Sequence, residues 1–429
     1  QIHPMSSNPQ HYLGCDRSDA HLDFTLLSPD RAPDTFRLPS RAAAVEEWLA
    51  GWRRRYPGHQ LCLCFEQPAA NLIVLFSRFD CVRLYPVNPA SLKSYREAFV
   101  TSRAKDDPTD SYWLADLVRT HAQKLTVWEP PSPAVRRLAT LVEHRRRLVD
   151  QRTALSNQLL SLLKDYYPEA IELLGEHPAT TLALAFLRRW PTLQQLKASR
   201  WATIEAFYRH QHSAHAVALE RRRQLIVQAR PLTDDPAILE PARLYLVALL
   251  DQLQPLLAAI ERYDAEVAAV FAAHPDHDLI ASLPGAGPVL APRVLVALGD
   301  QRNRFATAAA LQCFSGTAPV MVRSGKSTQI CRRHACPTFI RQSFHEHAAE
   351  SIRHSHWARA FYEQQKQRGK PHHTIVRALA FKWQRILWRC WQDHQPYDET
   401  VYLRALQDRN PALYQLALTT ILPKEKAAA

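Results

Sequence analysis

Tyr12-Leu13-Gly14-Cys15-Asp16 is a short apolar run that stops on a carboxylate, and Gln60-Leu61-Cys62-Leu63-Cys64-Phe65-Glu66 repeats the arrangement later in the chain. Runs of this length and character predict buried strands, and the acid closing each one predicts a carboxylate held at a strand end. Around them, His21 to Leu27 and Asp34 to Leu38 read as two further strands of a meander, and Ala42 to Tyr56 as a helix closed by Pro57-Gly58. A helix near Asn71 to Phe79, a strand from Val82 to Val87, and Asn88-Pro89 complete an α/β pattern. Trp128-Glu129-Pro130-Pro131-Ser132-Pro133 reads as a linker, because stacked prolines continue neither helix nor strand.

The chain has 429 residues, 46% of them hydrophobic and 22% charged, which is enough for at least two ordinary cores and far from disordered composition. No run approaches the ~18 consecutive apolar residues of a membrane span, and no charged-then-apolar leader opens the sequence, so the expectation is neither membrane nor secreted but bacterial cytoplasm, near the nucleoid when active. Eight cysteines without framework spacing suit reduced thiols. The net charge is +13, and only 11 of the 54 basic residues are lysine. Arginine grips phosphate with a two-pronged fork, so the balance favours a nucleic-acid partner; a GC-rich genome would inflate arginine as well.

Glycine is scarce, and five of the ten (Gly285, Gly287, Gly299, Gly316, Gly325) fall in one stretch, which must be turn-rich. From Ala134 to about Phe271 the chain reads as helix. Leu138, Leu141, Leu148, Leu155, Leu159 and Leu162 keep a three/four spacing, and so do Leu246, Leu249, Leu253, Leu256, Ile260, Tyr263, Val267 and Val270. These are coiled-coil seams, with a kink expected at Pro255 and a dimer interface expected along them. Arg145-Arg146-Arg147 and Arg221-Arg222-Arg223 would line faces beside the seams, as solvated charge or as a track for a nucleic-acid backbone. The expected organisation is therefore an α/β domain over 10–127, a helical coiled-coil region over 134–275 and a mainly helical domain over 278–405.

Four acids carry the clearest chemistry. Asp16 and Glu66 close strands, and Asp107 and Asp110 sit three apart at the start of a predicted helix, Asp107-Pro108-Thr109-Asp110 running into Ser111 to Thr120. Phosphodiester chemistry requires hard oxygen ligands for one or two Mg²⁺ ions, and carboxylates at strand ends joined by a pair on one helical turn can converge to supply them. Asp107 also reads as a helix cap before Pro108, and Asp106 competes with it as the ligand. Leu283-Pro284-Gly285-Ala286-Gly287-Pro288 has the form of a helix-hairpin-helix turn, whose Gly285 and Gly287 N–H groups suit a phosphate oxygen; such a turn can also simply pack two helices. Ser324-Gly325-Lys326-Ser327-Thr328 lacks the first glycine of a P-loop, the position being Val320, so nucleotide binding is rejected. What remains is Ser324 among Arg323, Lys326, Arg332 and Arg333, a setting in which cations could stabilise a serine attacking phosphate, although an ordinary polar turn has the same spacing. Cys331 and Cys336 with His345 and His347 match no common zinc module.

Together these segments resemble the DEDD-type insertion-sequence transposases whose members are bridge-RNA-guided recombinases. The likeness runs through Tyr12-Leu13-Gly14-Cys15-Asp16, Cys64-Phe65-Glu66, Val87-Asn88-Pro89-Ala90 and Lys105-Asp106-Asp107-Pro108-Thr109-Asp110. It continues through Leu283-Pro284-Gly285-Ala286-Gly287, Arg304-Phe305, Phe314-Ser315-Gly316-Thr317-Ala318-Pro319, Arg323-Ser324-Gly325 and Ala358-Arg359-Ala360-Phe361-Tyr362. The resemblance implies an RNase H-like (RuvC-like) N-terminal domain with Asp16, Glu66, Asp107 and Asp110 on Mg²⁺. It also implies a C-terminal transposase domain with Ser324 as the nucleophile, forming a covalent phosphoserine link to DNA. The implied partners are donor and target DNA, an element-encoded bridge RNA and further copies of the chain, as a dimer or tetramer with shared sites. Gln67-Pro68-Ala69 after Glu66 departs from the family's Thr-Gly, and the stretch from Gly175 to Pro275 is long for it. Two rival readings are a metal-dependent junction nuclease using the acids alone, and a non-catalytic nucleic-acid-binding scaffold.

Overall fold

The computed structural model describes residues 10–29, 31–66, 70–99, 107–175, 177–325 and 327–422. Two compact units divide between Pro130 and Pro131, within the proline-rich segment.

In the first unit the strands are β1 (Gln10–Arg17), β2 (His21–Leu27), β3 (Asp34–Pro39), β4 (Gln60–Glu66) and β5 (Val82–Val87). The helices are α1 (Ala42–Arg55), α2 (Ala70–Phe76), α3 (Pro89–Glu97) and α4 (Asp107–His121). The sheet order is β3-β2-β1-β4-β5; β1 to β3 form an antiparallel meander, while β4 is parallel to both β1 and β5. Alternation sorts each strand onto two faces. Leu13 and Cys15, Leu22, Phe24 and Leu26, and Leu61, Leu63 and Phe65 bury against Val45, Leu49 and Trp52 of α1 and Phe76 of α2. Cys62 and Cys64 bury on the opposite face, against Leu114, Leu117 and Val118 of α4. The sequence did not announce α3, which Asn88 caps by accepting from the Ala90 N–H at 2.9 Å.

Gly14 sets how closely α4 approaches β1. A Cβ there would fall 1.8 Å from the Ser111 carbonyl oxygen and 2.5 Å from the Ala115 nitrogen, so the strand and the helix backbone touch at a point that no side chain could share. The Ser111 hydroxyl is shared with Thr25 Oγ1 at 2.7 Å, fastening the same turn of α4 to β2.

The second unit is mainly helical. It opens with α5 (Pro133–Tyr166), α6 (Glu169–Leu174), α7 (Thr181–Arg189), α8 (Leu193–Ala198), α9 (Trp201–His210), α10 (Ala216–Gln228) and α11 (Pro236–Ala272). It continues through α12 (His277–Ala281), α13 (Leu290–Leu298), α14 (Ala308–Phe314), the hairpin β6 (Val320–Ser324) and β7 (Ser327–Cys331), then α15 (Thr338–His354), α16 (His356–Gln367), α17 (His372–Asp393), α18 (Glu399–Arg409) and α19 (Pro411–Thr419). Helices α5 and α11 run antiparallel: Arg137 pairs with Glu266, Arg145 with Asp264, and the Tyr245 hydroxyl donates to Gln158. The leucine seams are therefore each other's partner inside one chain. This corrects the expectation of a dimer interface for the seam residues so covered, since Leu138, Leu159, Leu246, Leu249, Leu253, Ile260 and Val267 are buried within the unit, while Leu148, Leu256 and Tyr263 are half-buried. Pro241 and Pro255 lie inside α11, which stays one element of 37 residues. By length and composition α11 is apolar enough to cross a bilayer, although its Leu246, Leu249, Leu250 and Leu253 pack into the unit's core.

Two predictions follow from this packing. Gly14→Ala should lower stability by about 3 kcal/mol, the upper range for overpacking, because the neighbour in the way is backbone and cannot rotate aside; a denaturant titration showing less than about 1 kcal/mol would contradict it. On α15, burial holds His347 down to about 4 from its ordinary 6.5, and burial with nearby cations does the same to His345. A histidine neutral in the fold takes up its proton more readily when unfolded, so its contribution is intact above about pH 6.5 and is lost as pH falls toward 4. Melting temperature should therefore drop over that interval, and His347→Leu should make the drop shallower.

Candidate functional site

Strand alternation decides where the acids point. Gly14 faces α4, so Asp16, two residues on, shares that face; Cys64 faces α4, so Glu66 does too. Cys15 is in register with Phe65, which sets Glu66 beside Asp16 at the carboxyl ends of two parallel neighbours. On the other side Asp16 is paired with Asp23 of β2, whose neighbour Thr25 bonds to Ser111 of α4. The sheet thus sets Glu66, Asp16 and Asp23 in a row on one face.

Helix α4 brings Asp110 over the same region, since Ser111, the next residue, rests on Gly14. Asp110 is 7% exposed and forms an ion pair with Arg96 of α3, whose side chain is itself largely buried. Asp23 accepts from Arg37 Nε at 2.7 Å, and one Asp16 carboxylate oxygen accepts from the Arg17 N–H at 2.9 Å. The guanidiniums of Arg96 and Arg37 compensate carboxylates that would otherwise be costly to bury. The Asp107 side chain, Asp106, Lys105 and Gln67-Pro68-Ala69 lie outside the described residues. Among those described, no three His, Cys, Asp or Glu side chains stand close enough to enclose a metal ion. The donors are carboxylates throughout, and that chemistry fits a hard divalent cation.

Sequence reasoning missed Asp23 and Arg96. Asp23 did leave a signal, being an acid inside the otherwise apolar run Leu22 to Leu27. Arg96 left none, because its role comes from α3 packing beside α4.

Ser324 ends β6, paired with Ser327 across the turn, and Gly325 takes φ +56° to make that turn. Every described residue from Met321 to Ile330 is exposed, so the serine sits near the tip of a projecting hairpin. Alternation puts Ser324 with Val322 and Ser327 on one face and Arg323 with Met321 and Thr328 on the other. Arg332 is exposed, while Arg333 is tethered to the Ala318 carbonyl at 3.3 Å; Lys326 lies outside the described residues. The hairpin's base is held firmly: Ser315 and Thr317 both donate to Gln384 Oε1 of α17 at 2.9 Å, in a fully buried cluster. Gly316 takes φ +72°, and a Cβ there would meet Cys336 Sγ at 2.2 Å.

Other residues expected at nucleic acid turn out to have internal partners. Gly285 abuts α15, where a Cβ would lie 2.8 Å from the Ser351 nitrogen, so its missing side chain serves helix packing; Gly287 faces open space. Arg145 pairs with Asp264, Arg146 with Asp150 at 2.9 Å and Glu346 at 3.3 Å, and Arg147 with Glu143 at 2.6 Å. Arg222 lies over the Tyr208 ring at 4.0 Å and donates to the Ser213 carbonyl at 2.6 Å.

Comparison with known proteins places the chain in a family. A transposase model of the DEDD type matches residues 13–168, and a model of the IS116/IS110/IS902 transposase family matches residues 277–363; together they cover over half the chain. The IS117 mini-circle protein of Streptomyces coelicolor, assigned as a transposase, is 28% identical over 400 residues, spanning 90% of this chain and 95% of its own length. A 43.6 kDa protein of insertion element IS110 from the same organism is 28% identical over 69% of this chain and 72% of its own. A 42 kDa protein of insertion element IS900 from Mycobacterium paratuberculosis is 26% identical over 68% of this chain and 73% of its own. With matching regions in both units and a relative aligned along nearly its whole length, the chain belongs to the IS110-type DEDD transposases of insertion sequences, enzymes that act on DNA.

Proposed function

We propose that the protein is an RNA-guided DNA transposase that exchanges strands through a covalent phosphoserine at Ser324. The observation that carries the catalytic part is the row of Glu66 and Asp16 on the face that α4 covers, with Asp110 brought above it. The sheet order, a three-strand meander extended by two parallel strands, supports an RNase H-like unit. The organisation expected over 10–127, 134–275 and 278–405 is retained as part of this reading.

Asp16, Glu66, Asp107 and Asp110 would hold Mg²⁺, which when bound neutralises phosphate charge and polarises the bond under attack. Arg96, already paired with Asp110, would hold that carboxylate in place. Ser324 Oγ would form a bond to a DNA phosphorus as one P–O bond to the flanking sugar breaks, with the serine proton passing to a base or solvent. Attack by the hydroxyl of another strand end would then release the serine and restore a diester. Arg323, Arg332 and Arg333 supply positive charge around the hairpin, and Gly287 keeps an unobstructed approach for a backbone phosphate. DNA donor and target, and a guide RNA, are the partners. Oligomerisation would use the outward apolar side chains of α11, Leu244 and Val247, rather than its buried seam.

The test is to express the protein with its flanking element DNA and trap protein–DNA adducts by denaturation. An adduct mapping to Ser324 is expected, absent in Ser324→Ala. Cutting that survives Ser324→Ala without an adduct would replace the recombinase with a hydrolytic nuclease. Asp16→Asn should reduce strand cleavage by about 10²–10³-fold, the size of losing one preorganised charge-stabilising group, with folding intact by circular dichroism. Sequencing RNA that co-purifies with the protein tests the guide; recovery of only random fragments would remove it.

A further inference from the structure

A second cationic site lies within the helical unit. A cavity of about 180 Å³ opens between α5, α13 and α15 beside the Pro288-Val289 turn. Four guanidiniums line it, those of Arg145, Arg146, Arg152 and Arg293, and the only acid among its described lining residues is Glu346. Two of the four already share that acid: Arg293 Nη1 donates to Oε2 at 2.5 Å, and Arg146 Nη1 to Oε1 at 3.3 Å. Arg145 and Arg146 also reach Asp264 and Asp150, which lie outside the cavity lining.

Arg293 is what makes the arrangement unusual for a purely structural cluster. Its side chain is 5% exposed; Nε donates to Ser343 Oγ at 3.0 Å, while the buried Nη2 has no acceptor among the described residues. Burial works against the guanidinium staying charged, Glu346 offsets part of that, and the positive charges of Arg146 and Arg145 close by add to it. A buried cation with an unused donor, facing an excess of like charge, is stabilised by an anion that offers several oxygens at once. Phosphate does so with a geometry that arginine forks match. The half-buried Arg146 and Arg152 leave the site reachable from solvent.

We infer that the cavity bounded by Arg145, Arg146, Arg152 and Arg293 is a phosphate-binding site. The phosphate is either an internucleotide group of a bound strand or a free ion, and the chemistry at the arginines is the same. The site stands apart from the catalytic proposal, since nothing in it depends on Ser324 or the acids of the sheet.

The experiment uses the full chain freed of nucleic acid. Thermal unfolding is followed in sodium phosphate and in sodium chloride at matched ionic strength, and binding of a single-stranded oligouridylate is followed across salt concentrations. The expected result is a saturable rise in melting temperature with phosphate over chloride. Arg152→Gln should weaken the phosphate response about tenfold or more while leaving the melting temperature in chloride unchanged, and Arg146→Gln should act in the same direction. If the occupant is a backbone phosphate, the slope of log affinity against log salt for the oligonucleotide also falls by about 0.7 in Arg152→Gln. An unchanged slope with a lost phosphate response identifies a free ion. Equal behaviour of wild type in phosphate and chloride, or a full phosphate response in Arg152→Gln, overturns the inference. If Arg146→Gln does not fold, Arg152→Gln still decides, because no ion pair holds it among the described residues.

Discussion

The contact on which the first unit depends is backbone against backbone, where β1 meets α4 at Gly14. Because the glycine leaves no Cβ between them, the Ser111 carbonyl can rest on the strand, and the first turns of α4 come down to the sheet. Any larger residue would lift the helix, and with it Asp110, away from the strand that carries Asp16. The Thr25–Ser111 hydroxyl contact fixes the same turn sideways against β2. A close approach thus couples the fold to the arrangement of acids: the strands set Glu66, Asp16 and Asp23 in order, and the glycine sets the height of the fourth carboxylate.

Charge is used differently in the two units. In the first, buried acids are met by single arginines, as Asp110 is by Arg96 and Asp23 by Arg37, so each carboxylate has a cationic partner that offsets its desolvation. In the second, much of the arginine excess holds helices together. Arg302 pairs with Asp276 at 2.5 Å while lying over Trp391, and Arg304 sits between Phe305 and Phe314. A strongly basic composition therefore overstates the area available to nucleic acid, because a guanidinium stacked on an aromatic ring or shared with a carboxylate is already engaged. The cavity around Arg293 runs the other way, with four guanidiniums and one carboxylate among its described lining residues.

The hairpin carrying Ser324 combines a rigid base with a tip that has no core of its own. Gln384 collects the hydroxyls of Ser315 and Thr317, and Gly316 lets the chain fold onto Cys336, so the base cannot swing without breaking buried hydrogen bonds. Beyond that base the strands are exposed on both faces; Val322 is 50% exposed and Ile330 71%. A two-stranded ribbon of this kind is only marginally stable alone, and its apolar side chains gain most from being covered.

The sequence by itself determined the strands and most helices of the first unit, because apolar alternation and turn residues are local signals read within a few positions. It also determined which acids end strands, and that long leucine seams run through the middle of the chain. It left no trace of Arg96 as the partner of Asp110, nor of the internal pairs made by Arg145 and Arg146, since those depend on which helices come to lie side by side. The same limit explains the seams: a three/four repeat specifies a partner helix but not whose, and only the antiparallel packing of α5 on α11 decided that each seam is covered from within the chain. Periodicity is a property of one segment, whereas a salt bridge, a cavity or the choice between an inner and an outer partner is a property of two or more segments. Tertiary packing alone brought those together.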